Sequence, residues 1–74
     1  MREVSVVLNS IERVRKFVSL CEKQSFDICV SSGRHRVNAK SLMGVLSLDL
    51  SVPVTVELPE KALDFSNVLK FGNW

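Results

Sequence analysis

Few side chains in this sequence could carry chemistry, and their spacing narrows them further. His35 is the only histidine and the cysteines number two, Cys21 and Cys29, so the four ligands of a structural zinc site cannot be assembled and no metal is expected. No disulfide framework is visible either, and both thiols read as small buried hydrophobes. His35 follows a Ser-Ser-Gly turn and stands between Arg34 and Arg36, which makes it a solvated histidine rather than one held at a helix N-terminus. Ser10 and Ser41 each precede an apolar run of helical spacing, where a hydroxyl caps the first turn. Asn9 competes with Ser10 for the first cap, because Glu12 lies three positions on, as in a capping box. Arg13, Arg15 and Lys16, with Arg34 and Arg36, read as solvated charges before they read as a nucleic-acid surface.

The elements that must position these residues follow from periodicity. Residues 2 to 8 are rich in β-branched types and put Val4 and Val6 on one face, as a strand does. Ile11, Val14, Val18 and Cys21 then recur at helical spacing, with Phe17 widening the stripe, so a helix of about 14 residues is expected. Phe26, Ile28 and Val30 alternate, Ser31-Ser32-Gly33 turns the chain, and Arg34 to Ala39 returns as a polar strand suited to a sheet edge. A second helix of about two turns follows Ser41. On it Val45 and Leu48 can face a sheet, while Leu42, Met43 and Leu46 fall outside, either as a docking patch or as extra core packing.

Val52, Val54, Val56 and Leu58 alternate in the next strand, and Pro53 falls among its first residues, where a missing N–H is tolerable. Pro59-Glu60 opens a last helical segment in which Ala62, Phe65, Val68 and Leu69 share a face, and Gly72 ends it. The expected fold is α+β, an open-faced β-sandwich of order βαββαβα. Its four-stranded, mainly antiparallel sheet would carry all helices on one face, because each amphipathic stripe needs a layer to bury it.

Seventy-four residues make one domain spanning 1–74 and exclude a multidomain enzyme. With 46% hydrophobic and 24% charged residues the chain has the composition of a folded domain, not of a disordered tail. A net charge of +2 is too small to argue for nucleic acid or a membrane surface. An RNA-recognition sheet has the same element order, yet it needs aromatic residues on its central strands, and here those positions hold Val, Ser, Ile, Cys and Thr. Apolar stretches such as Val6-Val7-Leu8 are far shorter than the roughly 20 residues of a membrane span. The start, with one Arg and then alternating apolar residues, lacks a signal peptide's apolar run. A cytoplasmic, reduced location is expected.

The segment Val37 to Leu48, VNAKSLMGVLSL, resembles HPr, the phosphocarrier of the bacterial sugar phosphotransferase system, in its Gram-positive type. The similarity extends from Phe17-Val18 through Val56, and the element order is that of the family. The resemblance implies an HPr-like fold, no enzymatic activity of its own, and no cofactor. In the family a Gly-x-His-x-Arg-Pro segment caps the first helix and takes a phosphoryl group from Enzyme I. Aligned without gaps, that segment falls on Leu8 to Arg13: the histidine position is Ser10, the arginine position Glu12, the proline position Arg13. A carboxylate in the first turn repels the phosphoryl group that an arginine would hold, so carrier chemistry on histidine is expected to be lost.

Ser41 coincides with the serine that a bifunctional kinase/phosphorylase modifies in Gram-positive HPr. An added dianion at a helix cap is favoured by the dipole. The resemblance therefore implies a regulatory protein-binding module in phosphotransferase-system or carbon-metabolism control, similar to the catabolite-repression HPr-like branch, which lacks the histidine and binds a transcriptional repressor. Ser41 would be its switch, and Arg15, Leu42, Met43 and Leu46 its contact residues. The implied partners are proteins: an HPr-type kinase/phosphorylase or a transcriptional regulator. Two alternatives stand beside it: a residual phosphocarrier using Ser10 or His35, and an inert interaction module.

Overall fold

The computed structural model describes residues 1–74. The elements in chain order are β1 (Arg2–Val6), α1 (Ile11–Glu22), β2 (Cys29–Ser32), β3 (His35–Asn38), α2 (Leu42–Leu46), β4 (Val54–Leu58) and α3 (Leu63–Phe71), the expected βαββαβα order. The strands form one sheet of order β1-β4-β2-β3, and every neighbouring pair is antiparallel. β3, the polar strand, lies at an edge as expected.

Period-2 patterning explains the register. Val4 pairs with Val56, Val56 with Val30, and Val30 with Val37, so one row of valines crosses all four strands. Their neighbours Glu3, Ser5, Ser31, Thr55 and Glu57 alternate to the opposite face, where Arg36 reaches Glu57 at 2.7 Å. The valine face is covered by Val14, Phe17, Val18 and Cys21 of α1, Val45 of α2, and Phe65 and Leu69 of α3, all within one buried cluster. The three helices therefore occupy one side of the sheet. Gly33 turns the β2–β3 hairpin at φ 59°, a left-handed conformation that a side chain would strain.

Several expected core positions lie outside it. Ile11 is 63% exposed: it continues the stripe of Val14 and Val18 by three residues, but it stands at the first position of α1 and lines an open depression instead of joining the core. α1 is also shorter than expected and closes at Lys23, whose N–H reaches Cys21 and Leu20 carbonyls. Val7 and Leu8 leave β1, and although Leu8 is buried, Val7 is exposed. Val52 precedes β4 and is exposed, because Pro53 cannot donate to the ladder and pairing starts at Val54. On α3 the buried face is Ala62, Phe65, Ser66 and Leu69, and Val68 is exposed. The i, i+3, i+4, i+7 ridge selects Ser66 over Val68, and the buried hydroxyl is satisfied by donating to the Leu63 carbonyl at 2.7 Å.

Candidate functional site

The N-terminus of α1 is capped by Ser10, not Asn9. Ser10 has extended backbone angles, and its Oγ accepts the Arg13 N–H at 3.1 Å. With Ser10 as cap, Glu12 is the second helical residue, one short of the position a capping box requires, and it pairs instead with Lys16 at 3.5 Å. Its carboxylate still stands in the first turn. Around this cap the loop before α1 and the loop before β4 form a depression whose apolar lining includes Val7, Ile11, Leu50, Val52 and Pro53.

Arg13 departs from the solvated role expected of it. Its Nε donates to the Val7 carbonyl at 2.8 Å, and its guanidinium lies 4.0 Å from the centre of the Trp74 ring. The cation next to Ser10 is thus tied to protein groups on two sides. Trp74 also leans on Phe17, ring centroids 5.9 Å apart, and its Nε1 donates to the Leu69 carbonyl at 3.3 Å. This contact was not visible in the sequence. The one signal for it was a lone tryptophan two residues after a helix-stopping glycine.

α2 starts where the sequence suggests but is shorter than two turns, ending at Leu46, so the buried Leu48 follows the helix and its cap Ser47. Ser41 is its N-cap, and its Oγ accepts the Gly44 N–H at 3.1 Å. Asn38 holds the approach to the helix, its side chain accepting the Lys40 N–H at 2.8 Å and its carbonyl the Ser41 N–H at 3.0 Å. A side chain at Gly44 would stand 3.1 Å from Ser41 Oγ and 3.3 Å from Val37, so the missing Cβ leaves the cap its room. Lys40 turns away from the cap and donates from Nζ to the Gln24 carbonyl at 2.8 Å, tying the approach to α2 to the end of α1.

Ser41 itself is exposed. Val45 and Leu48 are buried, whereas Leu42 and Leu46 are each 36% exposed and Met43 is 77% exposed. The five-residue helix thus carries an uncovered apolar face directly beside its capping serine. Arg15 is exposed and lines a groove with Lys16, Ser19, Leu20, Lys23 and Trp74; its side chain forms no hydrogen bond or ion pair with α2.

His35 is exposed on the edge strand beside the Gly33 turn, paired in register with Ser32. Cys21 is buried in the core and Cys29 half-buried. Burial in apolar surroundings pushes the Cys21 thiol up to about 12, opposed only in part by the Lys40 charge. No three His, Cys, Asp or Glu side chains gather as metal ligands, and no helix is long and apolar enough to cross a membrane.

The family model described as the PTS HPr component phosphorylation site matches residues 13–62. The chain belongs to the HPr family. It is also similar to a solved structure, HPr-C-His from Thermoanaerobacter tengcongensis, at 25% identity and a TM-score of 0.75, over 93% of this chain and 91% of that one. No curated protein matches. HPr proteins are phosphocarriers of the phosphotransferase system, not enzymes in themselves, and they act through protein partners. Within the match to the HPr family lie Arg15, Ser41, Leu42, Met43 and Leu46. Ser10 and Glu12 precede it.

Proposed function

We propose that this HPr-family chain works as a regulatory protein-binding module of phosphotransferase-system or carbon-metabolism control, in the cytoplasm, and not as a phosphohistidine carrier. At the start of α1, Ser10 occupies the position of the acceptor imidazole and Glu12 that of its arginine. A phosphoryl group would there meet a carboxylate, and the nearest replacement cation, Arg13, is already held by Val7 and Trp74.

The observation that carries the proposal is the pairing on α2 of an exposed capping serine with uncovered Leu42, Met43 and Leu46. Phosphate on Ser41 would lay about two negative charges beside that apolar face and beside N–H groups that a first helical turn leaves unpaired. A partner with basic residues around a hydrophobic pocket, such as a transcriptional regulator, would then distinguish the two forms, and an acidic partner would be repelled.

The test is modification of Ser41 by an HPr-type kinase/phosphorylase with ATP, mapped by mass spectrometry, followed by binding of both forms to the catabolite regulator of the same cell. Phosphate on Ser41 and a change in affinity of tenfold or more support the reading. An untouched Ser41, or equal binding of the two forms, removes the switch.

A further inference from the structure

The sheet has two edges, and they are finished differently. β3 ends one of them with exposed His35 and Arg36, and with Arg34 in its turn, charged residues of the kind that keep an edge from pairing. β1 ends the other and carries no proline or bulge: its register with β4 runs unbroken from Arg2 opposite Leu58 to Val6 opposite Val54. Alternate residues of β1 turn their N–H and C=O groups outwards, where no strand receives them.

α3 runs alongside β1 in the same direction. At their starts the Met1 amino group lies 2.8 Å from the Glu60 carboxylate, and Arg2 Nε donates to the Glu60 carbonyl at 2.8 Å. At their ends Arg13 joins the Val7 carbonyl to the Trp74 ring. The five residues of β1 and the nine of α3 each span about 12–14 Å, so Val4 and Asn67 mark the middle of the two elements. Four of the ten large apolar side chains left exposed stand at the ends of this pair: Met1 and Leu63 at the start, Val7 and Phe71 at the finish.

We infer that this edge is a self-association surface, and that its occupant is the same edge of a second copy, paired antiparallel about a two-fold axis at Val4. Met1 then stands opposite Val7 of the second copy, Glu3 opposite Ser5, and Val4 opposite Val4, so the valine row continues from one sheet into the next. In the helical layer the same axis passes Asn67. It sets Leu63 against the end of the second α3 that carries Lys70 and Phe71, and brings Asp64 towards that Lys70. Neither Asp64 nor Lys70 takes part in an ion pair within its own chain. Moving the axis to Glu3 would oppose two carboxylates, and moving it to Ser5 would set Glu3 against Val7; either shift also leaves the middle of α3. An unrelated extended strand would find the same free N–H and C=O groups, but not the matched apolar ends or the reciprocal match of Asp64 with Lys70. α2 packs beside β3 at the far edge, so both Ser41 faces stay open in the pair.

The test uses the whole chain. Sedimentation at rising concentration up to about 1 mM should take the mass from 8.3 kDa to twice that value. In a mixture of labelled and unlabelled chain, isotope-filtered NMR should show contacts from Met1 to Val7 of the other copy and from Leu63 to Phe71. Asp64→Lys and Lys70→Asp should each weaken association at least tenfold, since each opposes like charges twice. Both residues are exposed, so circular dichroism of the variants should match the parent. An equal mixture of the two variants should regain the parent's affinity, because the mixed pair opposes lysine to aspartate on both sides. Four results would each overturn the inference: a chain that stays at 8.3 kDa over the whole range, NMR contacts from β1 of one copy to β4 of the other, which mean an exchanged strand, contacts at α2 or β3, or a mixture no tighter than either variant alone.

Discussion

Replacing Ser41 separates what its hydroxyl does for the fold from what a charge there would do. The side chain accepts one hydrogen bond, from the Gly44 N–H at 3.1 Å, and the turn it caps positions Val45, which is fully buried in the core. Ser41→Ala removes the acceptor and should cost about 1 kcal/mol. In a domain of this size that corresponds to a melting temperature lower by about 4–8 °C. Ser41→Asp keeps an acceptor at the cap and puts a negative charge where a helix N-terminus favours it, so it should stay within about 0.5 kcal/mol of the parent. Urea unfolding followed by Trp74 fluorescence measures both, provided the slopes agree among the three proteins. A Ser41→Ala variant as stable as the parent would mean that the hydroxyl does not cap α2. An Asp variant as weak as the Ala variant would mean that the turn rejects negative charge, and the physical ground for a phosphate at Ser41 would be gone.

Other outcomes follow from the same geometry. Met43→Ala should leave stability within about 0.5 kcal/mol of the parent, as surface changes do, while weakening the regulator complex; urea titration and a binding isotherm check the two halves separately. Trp74→Ala removes the ring contact with Phe17 and the seat of the Arg13 guanidinium, and should cost about 1–3 kcal/mol by thermal unfolding. Under native conditions Cys29 should react with a thiol reagent and Cys21 only on unfolding. The Cys21 thiol is raised from 9.0 to about 12 in the fold, so the unfolded chain ionises first: its contribution is intact below pH 9 and is lost as pH climbs from there towards 12. Cys21→Ala, although less stable at neutral pH, should show a flatter decline over that window in urea titrations at several pH values.

What the sequence revealed and what it withheld have physical reasons. Val30, Val54 and Val56 announce strands because a half-buried sheet imposes period 2, and the row of Val4, Val56 and Val30 joins positions that alternation alone had placed inward, while Val37 of the polar edge strand is added to it by the pairing. Ser41 announces a helix start because a short hydroxyl before an apolar run satisfies orphan N–H groups. Periodicity says which way a side chain points and not whether anything lies there. Ile11 and Val68 fit or adjoin helical stripes, yet both are exposed, the first in the opening turn of α1 and the second beside the buried ridge of α3.

The missing part of the site picture is the contact between chain ends of α1 and α3. Arg13 looked like one of several surface cations, and only the return of the chain at Gly72 brings Trp74 onto it. Such a meeting of residues 61 positions apart leaves no local pattern. The exposed face of Leu42, Met43 and Leu46 was half legible: spacing allowed it to be core or surface, and the buried contacts of this region are made by Val45 of the helix and by Leu48 just after it.

The central claim is that this member of the HPr family has given up phosphate transfer through histidine. Incubation of the purified chain with labelled phosphoenolpyruvate and Enzyme I, beside an HPr that retains its histidine, tests it in one step. The account predicts full labelling of the control and none of this chain, because the cap of α1 is Ser10 with Glu12 in its first turn. Acid-labile phosphate on His35, or Enzyme I-dependent label on Ser10, would contradict it.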